Sequence, residues 1–265
     1  VDIEQSDAIN DLSGSLGEGL QYTVFWDSRA DAPDLEDESV FLRIKPSDGE
    51  TAALEWNQSA AFGVDNKSPV FVGQLFIRAD SPSSLRICRP ANISDGGSGV
   101  KSWFIEKSDG TLSAPQALSA RCIHDTALAA NTEHTYSLKA EDMAHNEAVY
   151  PETVSTYTLA PKPSALKALK PIFTNDRIIL SVKAFPNDSE AASAYFFFRL
   201  DNEGKHESGW IKENTWTDTG FRKNKWYIWG AKYRNGDGVE TTAIYTAFPG
   251  YPNTGDLFTA IGNYF

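Results

Sequence analysis

Short runs of alternating apolar and polar residues recur along this chain, separated by turn-forming clusters. Ser84-Leu85-Arg86-Ile87-Cys88-Arg89 has the two-residue period of a half-buried strand. Asp95-Gly96-Gly97-Ser98-Gly99 breaks it, and Val100 to Glu106 reads as the next strand, with Trp103 and Ile105 on one face. After the Ser108-Asp109-Gly110 turn come Arg121 to Asp125, then Glu133 to Glu141, which alternates through His134, Tyr136, Leu138 and Ala140. Val149 to Leu159 closes the unit. Strands of this length between Gly, Asp, Asn and Pro turns predict an all-β sandwich.

The pattern repeats. Asp125-Thr126-Ala127-Leu128 returns as Asp218-Thr219-Gly220-Phe221, 93 positions later, and Asp142 returns as Asn235. The same shift pairs Leu85 and Ile87 with Ile178 and Leu180, Trp103 and Ile105 with Phe196 and Phe198, and His134 with Tyr227. One gap-free offset that carries apolar onto apolar positions predicts two copies of one module, at 67–160 and 161–250. The offset finds no third copy before residue 67. Leu20 to Trp26 and Val40 to Ile44 still read as strands there, so residues 1–66 are expected to form a short, divergent β-sandwich module. The segment 251–265 is turn-like at first and then apolar and aromatic, with Leu257, Phe258, Ile261, Tyr264 and Phe265. An apolar segment of this kind is expected to dock, either on its own chain or as an added strand on a neighbouring copy; the remaining reading is a truncated next module.

The stretches DTALAANTEHTYSLKAEDMAHNEA (125–148) and DTGFRKNKWYIWGAKYRNGDGVE (218–240) resemble fibronectin type III modules. In both, a short Asp-Thr segment leads through a tight turn to an alternating strand, then Ala-x-Asp/Asn and a Gly/Asn turn. The resemblance covers roughly 67–250. Ala61-Phe62-Gly63-Val64-Asp65-Asn66-Lys67-Ser68-Pro69 is similar to the junctions between immunoglobulin-like modules of bacterial surface proteins. The expected fold class is therefore three tandem immunoglobulin-like or fibronectin type III-like sandwiches. The family's tyrosine corner falls on Tyr227, where the first copy has His134, and the family's strand-B tryptophan is missing near Cys88. The family's second and fifth strands are antiparallel neighbours, which implies a Cys88–Cys122 disulfide closing a loop of about 35 residues and worth roughly 3–4 kcal/mol. The other reading is two free thiols in a reducing compartment. Cys88 is out of phase with Leu85 and Ile87 and is expected to face away from the core. The offset puts Ser181 and Thr215 at the two cysteine positions of the second copy, so the fold itself does not require the pair.

The net charge of -12 and the lack of a basic stripe argue against nucleic acid. No apolar run is long enough to span a membrane as a helix. The chain begins at Val1, which fits a processed mature chain or a fragment equally well. Two cysteines give neither the count nor the spacing for zinc. There is no G-x-S-x-G elbow, Ser98 reads as a loop serine, and His124, His134, His145 and His206 have no metal-ligating spacing. No phosphate or dinucleotide loop occurs.

Three features remain open. The acidic run Asp31, Asp34, Glu36, Asp37 and Glu38 offers oxygen ligands for calcium without ordered spacing, and otherwise reads as a solvated loop. Asp95, Asp125 and Asp142 stand where an ion would stiffen module junctions. Trp210 and Trp226 are candidates for an exposed aromatic surface that takes a carbohydrate or a protein, in a module also holding Trp216, Trp229, Tyr227 and Tyr233. Sequons at Asn57, Asn92 and Asn187 matter only in a glycosylating host. The expectation is a secreted or cell-surface, non-catalytic structural or adhesive protein with protein partners, among them copies of itself in a filament or layer. The alternative is the accessory carbohydrate- or protein-binding portion of a secreted enzyme.

Overall fold

The computed structural model describes residues 25–45, 55–168, 177–201, 204–220 and 226–249. The expected strand at Leu20–Trp26 falls mostly outside these residues, and the segment 251–265 and the side chain of Trp226 fall wholly outside them. Among the described residues the protein is built from strands, with one four-residue helical turn, α1 (Ser28–Asp31). No helix among the described residues is long and apolar enough to cross a membrane.

Ahead of residue 67, β1 (Glu36–Val40) pairs antiparallel with β4 (Phe62–Asp65), and β2 (Arg43–Ile44) with β3 (Asn57–Gln58). The Asn66 carboxamide ties this hairpin back to α1 by donating to the carbonyls of Ser28 and Ala32.

The next module opens with β5 (Val70–Val72), β6 (Phe76–Ser81), β7 (Ser84–Cys88) and β8 (Asn92–Ser94). It continues through β9 (Val100–Lys107), β10 (Cys122–Thr126), β11 (Glu133–Asp142), β12 (Glu147–Val149) and β13 (Val154–Tyr157). One sheet runs β10-β7-β6. The facing sheet has β11 at its centre, paired with β9, β12 and β13. Their inner faces close over Leu85, Ile87, Trp103, Ile105, Tyr136 and Leu138, each at most 2% exposed.

The last module repeats the plan with β14 (Leu166–Ala168), β15 (Arg177–Val182), β16 (Ala194–Asp201), β17 (Gly204–Ile211), β18 (Thr215–Thr219), β19 (Trp226–Arg234) and β20 (Ile244–Pro249). Its sheets run β14-β15-β18 and β17-β16-β19-β20. The core is aromatic: Tyr195, Phe197, Trp229 and Tyr233 surround Leu180 and Ala231. The two described sandwiches are thus tandem fibronectin type III-like modules.

The offset of 93 holds on three of the four core strands but slips on the other. Ala140 faces Trp103 across the sheet, and its counterpart Tyr233 faces Tyr195; Leu138 faces Ile105, and Ala231 faces Phe197. The true partners of Trp103 and Ile105 are therefore Tyr195 and Phe197, 92 positions on, and not Phe196 and Phe198. The turn entering β16 is one residue shorter, and a one-residue shift exchanges the faces of a strand. Phe196 and Phe198 consequently lie on the outer face, where Trp210 and Tyr245 pack against them at ring separations of 5.1 and 5.6 Å.

Cys88 and Cys122 are directly opposite each other on β7 and β10 and form a disulfide. Cys88 has the outward phase of Arg86, yet it is only 9% exposed. It sits on the central strand, flanked in register by Cys122 on one side and Phe76 on the other. Ser181 and Thr215 face each other at the same place in the last module.

Candidate functional site at the module junctions

The repeated Asp-Thr pair has a structural cause. Asp218, fully buried, accepts hydrogen bonds from Arg199 Nη1 at 2.8 Å, Trp229 Nε1 at 2.8 Å and His206 Nδ1 at 2.6 Å. Its counterpart Asp125 takes Lys107 Nζ at 2.8 Å and the Tyr136 hydroxyl at 2.8 Å. Lys107 and Arg199 occupy one position, as do Tyr136 and Trp229. Each carboxylate, carried by β10 in the middle module and β18 in the last, binds a cation and a ring donor from the opposite sheet. Asp125 is therefore committed inside its module and is not part of a junction.

The junctions are built from the turns that follow β11 and β19. In the second of them Asn235, fully buried, accepts from the Val239 N–H at 2.7 Å through Oδ1, which closes its own turn. Its Nδ2 donates to the carbonyls of Thr158 at 3.2 Å and Tyr157 at 3.4 Å in the preceding module. Asn131, also fully buried and at φ 51°, reaches the other way. It donates to Asn187 O and Ser193 Oγ and accepts from the Gly236 N–H at 2.9 Å. Asp237 accepts from Thr156 Oγ1 and from the Tyr157 N–H. Gly236 is needed for close approach, because a Cβ there would come within 2.4 Å of the Tyr157 ring.

The first junction has the same frame with different charges. Asp142, in the place of Asn235, closes its turn by accepting from the Asn146 N–H at 2.8 Å. An aspartate cannot donate to the preceding module, and Asn146 does so in its stead. Asn146 Nδ2 reaches Asp65 O at 3.0 Å and also the second oxygen of Asp142 at 2.8 Å. The Asp142 carboxylate now lies beside those of Asp65 and Asp95, with one oxygen of each within 4.8 Å of the others. Gly96 and Gly97 let the 95–99 turn wrap these acids: a Cβ at Gly96 would meet Glu36 Oε1 at 2.1 Å, and one at Gly97 would meet the Asp65 carboxylate at 2.7 Å.

The electrostatics of this pocket are uneven. Burial, helped by the charges on Asp65, Asp142 and Glu36, raises the Asp95 pKa against the pull of the Gly99 N–H. Burial also pushes Asp65 upward, but the hydroxyl and N–H of Ser98 and the N–H of Lys67 outweigh it and leave Asp65 below the usual carboxylate range. Asp142 is fully buried and makes no ion pair among the described residues, unlike Asp125 and Asp218. Three carboxylates from two modules, one of them buried without a counter-charge, form a donor set suited to a hard divalent cation.

Sequence reasoning named Asp95 and Asp142 but missed Asp65. The signal lies in the junction segment 61–69, where Asp65 stands in a family-like stretch with no metal-ligating spacing. The acidic run does not converge. Asp31 accepts from Trp26 Nε1, Asp37 caps the Ser39 N–H, Glu38 is exposed, Asp34 is exposed and acts on Lys67 by its charge, and Glu36 approaches the pocket, paired with Lys67 at 3.0 Å. Trp210 is half-buried beneath Lys232 and Arg234, whose charged groups lie 5.2 and 4.7 Å from its ring centre. His124 pairs with Asp80 at 3.4 Å and His145 with Glu141, while His134 keeps a buried Nε2 with no partner.

No protein-family model and no curated protein matches the chain. Among solved structures, a segment of two fibronectin type III domains from chicken tenascin is similar at 17% identity, covering 69% of this chain and 99% of that one at a TM-score of 0.43. The central fibronectin-III array of a RIM-binding protein is similar at 15% identity, covering 67% of each chain at a TM-score of 0.28. The fold assignment rests on the order and register of the chain's own strands.

Proposed function

We propose that the chain is a non-catalytic, extracellular structural or adhesive protein: a stiff string of sandwich modules that joins copies of itself through the apolar segment 257–265. The observation that supports this most is the closure of both junctions by buried asparagine side chains that donate across them, Asn146 at the first and Asn131 and Asn235 at the second. Such contacts fix one module against the next, as a spacer or filament subunit needs and a flexible tether does not. The disulfide fits an oxidising compartment. Light scattering and electron microscopy of the full chain against a chain ending at Gly255 test the reading. Assemblies that vanish on truncation are expected, and two equally monomeric samples overturn self-association.

Calcium belongs to the same proposal, now with Asp65, Asp95 and Asp142 as its ligands in place of the acidic run. A bound dication would neutralise the buried Asp142 and lock the first junction, as hydrogen bonds lock the second. Calorimetric titration with calcium is expected to show one site that Asp142→Asn abolishes. A wild-type chain with neither heat nor thermal shift in millimolar calcium refutes it.

A further inference from the structure

The hairpin ahead of residue 67 differs from the two sandwiches that follow it. β1 and β4 pair only with each other, as do β2 and β3, so among the described residues every strand here has an open edge. Neither hydrophobic core includes any residue of 25–66. Phe41, Leu42, Ile44 and Trp56 are 44, 39, 62 and 58% exposed. Two-stranded ladders are marginal in water and gain stability from a further strand or a covering face. Open apolar edges also recruit strands from other chains.

We infer that this hairpin is the acceptor for the apolar segment 257–265 of another copy, so that the chain assembles head to tail; the inference rests on the self-association reading above. Reach decides between copies. The middle module is gripped at opposite ends of β11, by the first module beside Asp142 and by the last beside Asn131. Ten residues at ~3.3 Å each separate those ends by roughly 33 Å. In the last module the junction adjoins Arg234, while β20 leaves beside Trp226, eight residues away along β19 or roughly 26 Å. With the modules end to end, the Pro249 end of β20 therefore stands up to roughly 60 Å from the first module. Leu257 is eight residues further on and reaches about 28 Å at full stretch. At that separation the segment falls short of its own hairpin, and the hairpin of a second copy is an open apolar edge within its reach. Its nine residues, Leu257 to Phe265, extend over about 30 Å and carry six apolar side chains for the exposed positions.

Complementation tests this. One chain ends at Gly255 and has no donor; the other keeps its donor and carries Leu42→Asp and Ile44→Asp. Each alone is expected to be monomeric, and their mixture to stop at a one-to-one dimer. In parallel, a labelled Leu257–Phe265 peptide is expected to bind the Gly255-ended chain at least tenfold more tightly than the same chain with Leu42→Asp. A photo-crosslinker at the Ile261 position should mark residues 40–62, which keeps the inference testable if the variant hairpin misfolds. Crosslinks to residues 1–24 or to the two later modules, or no dimer from a mixture whose parent chain polymerises, overturn the acceptor and leave self-association standing. A parent chain that is itself monomeric removes both.

Discussion

Removing the Asp218 carboxylate should unfold the last module at a much lower temperature. Asp218→Ala removes the buried carboxylate that accepts from the Arg199 guanidinium, whose side chain is 8% exposed, and from Trp229 Nε1. Breaking a buried pair from one side costs about 3–5 kcal/mol. Arg199 Nη1 keeps a bond to Thr219 O at 3.2 Å, which places the expected loss near the lower bound, about 3 kcal/mol. For a module of this size each kcal/mol shifts Tm by about 4–8 °C, giving a drop of roughly 12–24 °C. Asp218→Asn retains an acceptor for Trp229 and should cost about half as much, while Asp125→Asn should cost less still because Lys107 is 36% exposed and partly screened. Four of the seven tryptophans lie in the last module, so intrinsic fluorescence follows its transition selectively while calorimetry records both. A shift below about 4 °C for Asp218→Ala, or an asparagine variant no better than alanine, would refute the counter-charge argument.

Three further outcomes are expected. Gly236→Ala drives a methyl group into the Tyr157 ring and should loosen the second junction without unfolding either module, seen in X-ray scattering as a broader distribution of module angles; an unchanged profile counts against a rigid junction. Replacing Cys88 and Cys122 with alanine, or reducing them, should cost the middle module about 3–4 kcal/mol through the loop of sequence separation 34 and leave the last module's transition in place. In alkali the last module should weaken first: burial raises Tyr233 to about 12, and burial together with the Asp188 carboxylate raises Tyr195 as well. Because the folded state holds these protons more tightly than the unfolded chain, whose tyrosines titrate near 10, the stabilisation is complete below pH 10 and is lost as pH rises from 10 toward 12. Denaturation midpoints across that range check it, and Tyr233→Phe should flatten the decline.

What the sequence made legible was whatever depends on local period. Alternation placed β7, β9, β10 and β11 to within a residue or two, and Leu85, Ile87, Tyr136 and Leu138 are inside because a strand's faces alternate. The cysteine pair followed from the likeness of two strands to a known neighbour pair. The slip at β16 was illegible because Tyr195-Phe196-Phe197-Phe198 is apolar at four consecutive positions, so either phase satisfies a hydrophobic count. Only the cross-strand register with Ala231 and Tyr233 chooses between them. That slip hid a second fact, the equivalence of Lys107 and Arg199 as counter-charges, since at the uncorrected offset Lys107 lines up with Leu200.

The junction pocket escaped for a different reason: Asp65, Asp95 and Asp142 are distant in sequence, and no local pattern brings them together. Yet the decisive clue is a single aligned pair, Asp142 and Asn235. At both positions the fold requires an acceptor at Oδ1 to close the turn, which either residue supplies. The remaining side-chain atom faces the preceding module, and there asparagine donates where aspartate carries charge. With Asn235 the junction closes using the chain's own atoms. With Asp142 the donor is moved to Asn146, and a buried negative charge is left facing two more. A chain that needed only closure could have used asparagine twice. On the calcium proposal, keeping the aspartate at the junction where Asp65 and Asp95 stand would let an added cation change the stiffness of one joint and not the other.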